Sequence, residues 1–162
     1  MLRREGALEE AEREVESAIV LLSRACPADV SGVLATKAAL KLAQGKPGEA
    51  LAAAEEGMSR QAAMRLHDKL LRGSFLHLVH IESLLANGRN AEVRAALANA
   101  RDRLLAIAAR LTDPAYQKSF LEDAPESRRI LDLAREWLGE GGEGESLPNK
   151  GTHAPASPTA AG

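Results

Sequence analysis

Aromatic residues are nearly missing from this chain, with one Trp, one Tyr and two Phe among 162 residues. Four rings make no stacking platform for single-stranded nucleic acid. An excess of one charge is missing too. The 21 basic residues face 23 acidic ones for a formal net charge of −2, so no field is present to hold a polyanion by counterion release. Nucleic acid is therefore not an expected partner. The longest apolar run, residues 104–109, is far short of the roughly 20 residues that cross a bilayer. Met1-Leu2-Arg3-Arg4 leads into charged residues instead of a signal-peptide core. No membrane partner is expected, and the expected location is the cytoplasm. One cysteine, Cys26, cannot form an internal bridge, which agrees with a reducing compartment. Residues that favour sheets are also scarce. Val, Ile and Thr number 14, against 31 Ala and 24 Leu, and small or straight-chain residues lose little freedom in a helix. The composition predicts an all-α protein.

What is present is a repeat. Gly6 is followed by Glu10, Ala11, Val15 and Ala18, Gly45 by Glu49, Ala50, Ala54 and Gly57, and Gly88 by Glu92, Val93, Leu97 and Ala100. Each copy places an acid four residues after the glycine and small or apolar residues five, nine and twelve after it. The separations are 39 and 43 residues. Steps of four and three keep those side chains on one helical face. The pattern predicts helical hairpins in which each glycine takes a left-handed bend and the acid falls in the first turn of the following helix. Upstream of the second and third glycines the preceding helix also repeats, with Ala35, Ala38 and Leu42 matching Leu78, Ile81 and Leu85. Only five residues precede Gly6, so the first copy is expected to lack its first helix. The second helix, about residues 8–24, is then expected to start without a cover, open to self-association.

This spacing resembles a divergent, lengthened tetratricopeptide repeat. Ala11 and Ala18, Ala50 and Gly57, and Val93 and Ala100 fill the two small-residue slots of its second helix. The usual aromatic positions are empty. Arg4-Glu5-Gly6 with residues 9–14, the stretch at 78–85, and above all residues 113–128 with 133–139 are similar to the C-terminal repeat region of large bacterial signalling proteins. In that family a Ser/Thr kinase or cyclase domain is followed by an ATPase module and a helical array. The resemblance covers roughly residues 3–139 and implies a helical-hairpin solenoid in bacterial signal transduction.

Between the second and third copies, residues 59–73 read as an extended helix carrying Met64, Leu66, Leu70 and Leu71, with Gly73-Ser74 as its break. A long helix over about 91–111 then meets Thr112-Asp113-Pro114, a cap followed by proline at a permitted first position. Tyr116 and Phe120 lie four apart and can stack. After Asp123 and Pro125, residues Ile130, Leu133, Ala134 and Trp137 form an apolar stripe. Residues 112–138 are therefore expected to cap a repeat array spanning 3–111, with Tyr116, Phe120, Ile130, Leu133 and Trp137 as the cap core. Residues 139–162 are Gly, Glu, Pro, Ala and Ser with little to bury, so a disordered tail is expected.

Chemical machinery is sparse. Gly139, Gly141 and Gly144 match G-x-G-x-x-G, but after a helix instead of a strand and beside Glu140 and Glu143. His77 and His80 are three apart, with His67 or Glu82 as a conceivable third metal ligand. The ordinary reading packs them at a hairpin edge. Cys26, followed by Pro27, has no base nearby in sequence and reads as a small buried residue. Glu9, Glu10, Glu12, Glu14 and Glu16, interleaved with Arg13, read as a solvated helix face. Kinase and P-loop signatures are absent. The expectation is a non-catalytic protein-interaction or regulatory module without cofactor. A partner segment, from kinase or ATPase domains of the same system, would lie in a groove lined by helices 31–44 and 74–87, with His77, His80 and Leu84 facing it. Two alternatives are a detached end of a kinase or ATPase polypeptide with a capping role and, more remotely, a metal-binding protein using His77 and His80.

Overall fold

The computed structural model describes residues 2–63 and 73–139. These residues are all-helical, with no strand among them. Helix α1 spans Leu2–Ala25, and a single 3₁₀ turn at Pro27–Asp29 leads into α2, Val30–Ala43. Then come α3 at Pro47–Ala62, α4 at Ser74–Ala86, α5 at Asn90–Ala108, and α6 at Pro114–Lys118, which runs into a π-helical turn at Ser119–Asp123. The last helix, α7, is Pro125–Leu138. Met64, Leu66, His67, Leu70 and Leu71 lie outside the described residues, as does the tail beyond Gly139.

Two of the three repeat glycines make the same bend. Gly45 has φ of 71° and Gly88 of 69°. In each, the glycine N–H returns to the carbonyl three residues back, Leu42 at 3.0 Å and Leu85 at 3.0 Å. The next N–H reaches five back, from Lys46 to Lys41 at 2.9 Å and from Arg89 to Leu84 at 3.0 Å. This paired closure satisfies the last carbonyls of α2 and α4, and it needs a residue without a Cβ at the left-handed position. The bends are also tied together: the Asn87 amide donates to the Pro47 carbonyl at 2.8 Å and to the Ser83 carbonyl at 2.7 Å.

Gly6 does not bend. It lies inside α1, which runs unbroken from Leu2. The physical reason is that Arg3, Arg4, Glu5, Ala7, Leu8 and Glu9 around it are all good helix formers, so a lone glycine costs that run about 1 kcal/mol and does not end it.

The residues five, nine and twelve after each bend are core. Ala50, Ala54, Gly57, Val93, Leu97 and Ala100 are all buried. At Gly57 the absent side chain matters, because a Cβ there would sit 2.8 Å from Leu76 Cδ1 and 3.4 Å from Leu34 Cβ. Small residues let α3 approach α2 and α4 closely, and α2 with α3 is the most extensive helix pair. Ala38, Ala53, Ala54 and Val79 form one apolar cluster there. A larger one joins Leu51, Leu78, Ile81, Leu84, Val93, Leu97, Ala100, Leu104, Ile130, Leu133 and Ala134 across α3, α4, α5 and α7. In α1 the matching Ala11, Val15 and Ala18 are only half-buried, since α1 packs mainly on α2 and the 3₁₀ turn.

The C-terminal block starts as its sequence predicts. The Asp113 carboxylate accepts from the Ala115 N–H at 2.8 Å, with Pro114 in the first turn. Ile130 and Leu133 are buried, and Phe120 and Trp137 pack on the same cluster. Tyr116 is 70% exposed and takes no part in that core. The π-helical turn, closed by the Ala124 N–H on the Ser119 carbonyl at 3.2 Å, widens the helix after Lys118. Tyr116 therefore stays outside while Phe120 points in.

Candidate partner-binding surface

The two bends give α2 and α4 a common register, so positions can be compared by their distance from Gly45 and Gly88. At seven residues before the glycine stand Ala38 and Ile81, and at ten before it Ala35 and Leu78, all buried. At eleven before it stand Leu34 and His77, and at four before it Lys41 and Leu84, again all buried. Outward positions fall thirteen, six and two before the glycine: Gly32 with Phe75, Ala39 with Glu82, and Ala43 with Ala86, each exposed or half-buried.

Two of the three expected groove residues are therefore turned into the core. Leu84 is in the main core cluster, His77 is 6% exposed, and His80 is half-buried. The open side of α4 carries Phe75, Glu82 and Ala86 instead. A sequence signal for this existed, because aligning the copies sets His77 on Leu34 and Leu84 on Lys41, and Leu34 is a poor candidate for a wet surface.

Gly32 and Phe75 meet in a cleft of about 100 Å³ between the N-terminal ends of α2 and α4, with Ala35 and Leu76 in its wall and Gln61 and Gly73 beside them. Small-molecule sites run to roughly 300–1,000 Å³. This cleft suits a single apolar side chain.

Lys41 and His77 each occupy a buried slot that the matching helix fills with leucine. Lys41 takes the place that Leu84 fills in α4. Its ammonium is neutralised by Glu12 of α1 at 2.5 Å and Glu49 of α3 at 2.5 Å. Gln44 donates to the second oxygen of Glu12 at 2.9 Å. The bonds from Lys41 and Gln44 hold the Glu12 carboxyl down to about 2. Lys41 also lowers Glu49, and the two carboxylates raise Lys41 against the opposing effect of burial. Glu16 pairs with Lys37 at 2.5 Å. Glu12 is thus a half-buried tie between helices, contrary to the expected solvated face, while Glu16 reaches Lys37 and stays exposed, as Glu9, Glu10 and Glu14 do. Both carboxylates near Lys41 are engaged with its ammonium, which makes the trio a strut and not a proton-transfer device.

His77 takes the slot of Leu34. Burial first, and then the positive charges of Arg103 and His80, push its imidazole down to about 4. Its Nε2 is buried without a hydrogen-bond partner. His80 is lowered as well, by burial. Among the described residues no three His, Cys, Asp or Glu side chains come together as a metal site, and His67 is outside them. Cys26 is exposed, contrary to its expected burial, because α1 ends just before it and the 3₁₀ turn holds it at the surface. Among the described residues no helix is long and apolar enough to cross a membrane.

No protein-family model, curated protein or solved structure matches this chain.

Proposed function

We propose that this chain is a non-catalytic interaction module: a solenoid of tetratricopeptide-like hairpins that takes a partner's segment on the open faces of α2 and α4. The observation that carries the reading is the shared register of the two bends, which sets Gly32 and Phe75 at equivalent positions and opens a side-chain-sized cleft between them. In a repeat array the first helices of successive hairpins line one continuous surface, and recognition comes from its shape. The resemblance of residues 3–139 to the helical region of kinase and ATPase signalling proteins supports a place in bacterial signal transduction in the cytoplasm. It also makes kinase or ATPase domains of the same system the first partners to try.

The test is selection from a displayed library of random helical and extended peptides. Enriched peptides should bind the wild type and lose at least about tenfold in affinity to Gly32→Arg or Phe75→Glu, which fill or charge the cleft. No enrichment, or peptides that bind both variants as well as the wild type, rejects this surface.

The half-burial of Ala11, Val15 and Ala18, where the matching residues of α3 and α5 are fully buried, favours a second reading. In it the chain works as the end of a larger kinase or ATPase polypeptide whose own helix covers α1. Fusing one designed upstream hairpin helix should then raise the melting temperature, and an unchanged value counts against it.

A further inference from the structure

Helix α1 has two unlike faces. Toward α2 it turns Ala11, Glu12, Val15, Ala18, Ile19 and Leu22, all half-buried. Away from the body it turns Glu10, Arg13, Glu14, Ser17, Val20, Leu21 and Arg24, which recur in steps of about three and four residues and are all exposed. Val20 is 59% and Leu21 67% exposed, two large apolar side chains side by side in water. None of Glu10, Arg13 and Arg24 has an ion-pair partner among the described residues, whereas Glu12 and Glu16 are engaged with α2. The Ser17 hydroxyl already donates to the Arg13 carbonyl at 2.9 Å, so covering it strands no donor.

The outermost charges of this stripe, Glu10 and Arg24, are of opposite sign and equally far from Ser17. Glu10 lies seven residues before it and Arg24 seven after it, about 10 Å along the axis in either direction. A second α1 laid antiparallel across the first, with the two Ser17 residues at the crossing, sets Glu10 against Arg24 at one end and Arg24 against Glu10 at the other. The same operation lays Leu21 over the aliphatic stem of Arg13, twice. A parallel pairing instead sets Glu10 on Glu10 and Arg24 on Arg24. The small Ser17 allows close approach at the centre.

We infer that the outer face of α1 is an isologous dimer interface and that its occupant is a second copy of this chain, docked antiparallel through Ser17. The residues are different from those of the α2 and α4 surface, so two-fold pairing leaves that surface open in both copies. A seven-residue stripe is at the small end of specific interfaces, and the dimer is a reversible one. Its formation weakens as salt screens the Glu10 to Arg24 pairs.

Sedimentation equilibrium over a concentration series, with circular dichroism to confirm unchanged helicity, tests this. Glu10→Arg and Arg24→Glu should each weaken the dimer by about tenfold, since each turns two attractions into two repulsions. Leu21→Arg, at an exposed position that faces Arg13 of the second copy, should do the same. The double variant Glu10→Arg/Arg24→Glu should recover the wild-type constant. An equimolar mixture of the two single variants should form the heterodimer in preference to either homodimer. A wild type that stays monomeric up to about 1 mM overturns the inference, leaving the stripe to solvent or to another protein's helix. So does a dimer indifferent to the single reversals, or one that the double reversal fails to restore.

Discussion

Replacing Gly6, Gly45 and Gly88 one at a time by alanine makes the same chemical change at three places the sequence pattern treats as equal, and the outcomes should differ in sign. A Cβ at any of the three meets nothing within 4 Å, so packing does not enter. Only backbone conformation does. Gly45 and Gly88 are left-handed at φ of 71° and 69°, where an L side chain costs about 1–2 kcal/mol against the carbonyl that follows. Alanine also narrows the unfolded ensemble, which returns about 0.4–1 kcal/mol. The net expectation is a loss of roughly 1 kcal/mol at each bend, about 3 °C in Tm for a chain of this size. Gly6 is helical within α1, so there alanine keeps the unfolded-state gain and adds helix propensity, for a gain of up to about 1 kcal/mol. Asparagine, which tolerates the left-handed region, should cost Gly88 less than alanine does. Thermal and urea unfolding of the purified variants measure all of this. If Gly6→Ala destabilises as much as the other two, α1 is broken at that glycine and the reasoning fails; if Gly45→Ala is neutral, the bend is not what closes α2.

Three other outcomes follow from the same structure. His77 is held neutral, with burial pushing its pKa down from 6.5 to about 4. The unfolded chain therefore takes up a proton that the folded one refuses, and stability should fall by on the order of 3 kcal/mol as pH drops from about 6.5 to about 4, then level off for this group. The depressed His80 works in the same direction, so urea midpoints of His77→Leu should show a shallower slope in that window, and an unchanged slope refutes the assignment. Ile130→Ala opens a cavity in the main cluster and should cost about 2–5 kcal/mol. Tyr116→Ala, at a side chain that is mostly in water, should stay within about 0.5 kcal/mol; equal losses in the two variants would restore Tyr116 to the cap core. Glu12→Gln should lower the Tm at neutral pH and should flatten the acid limb below about pH 4.5, since the depressed carboxyl of Glu12 stabilises the fold above its ordinary value and ceases to do so as it is protonated. A variant with the wild-type acid limb disproves the tie to Lys41.

The hairpin bends and their small-residue faces were legible because each depends on local facts: a glycine in the left-handed region, and steps of four and three beyond it. Gly45 and Gly88 satisfied both. Gly6 satisfies only the spacing, and spacing alone cannot tell a helical glycine from a bend; the helix formers on either side of it carry α1 straight through. The open face of α4 is less legible, because burial is set by position on the helix and not by residue type: His77 falls in the slot of Leu34 and is buried as Leu34 is, while His80 is half-buried. Tyr116 was misplaced because a π-helical turn adds a residue to the helix period, and no spacing rule anticipates one.

The same slot-by-slot comparison explains why α1 differs from the rest of the molecule. Where α4 offers Leu84 to a wholly apolar cluster, α2 offers Lys41, and a buried ammonium needs carboxylates brought to it. Glu12 supplies one from α1 and Glu49 another from α3, while Glu16 reaches Lys37 a turn away. The apolar residues of α1 that face α2 remain half-buried, so their contribution per residue is smaller than that of Leu97 or Ile130 in the main cluster. Helix α1 is therefore docked by charge where α4, α5 and α7 are docked by oil. Below about pH 4.5 the stabilisation from the depressed carboxyls of Glu12 and Glu49 declines, and that from Glu12 is gone only near pH 2, where it is protonated in the fold; the apolar cluster contains no carboxylate. Between about pH 4 and pH 2, below the window in which His77 titrates, acidification should accordingly release α1 ahead of the main cluster, and hydrogen exchange there should show α1 amides losing protection while those of α5 keep theirs. Simultaneous loss in both helices refutes this division of labour.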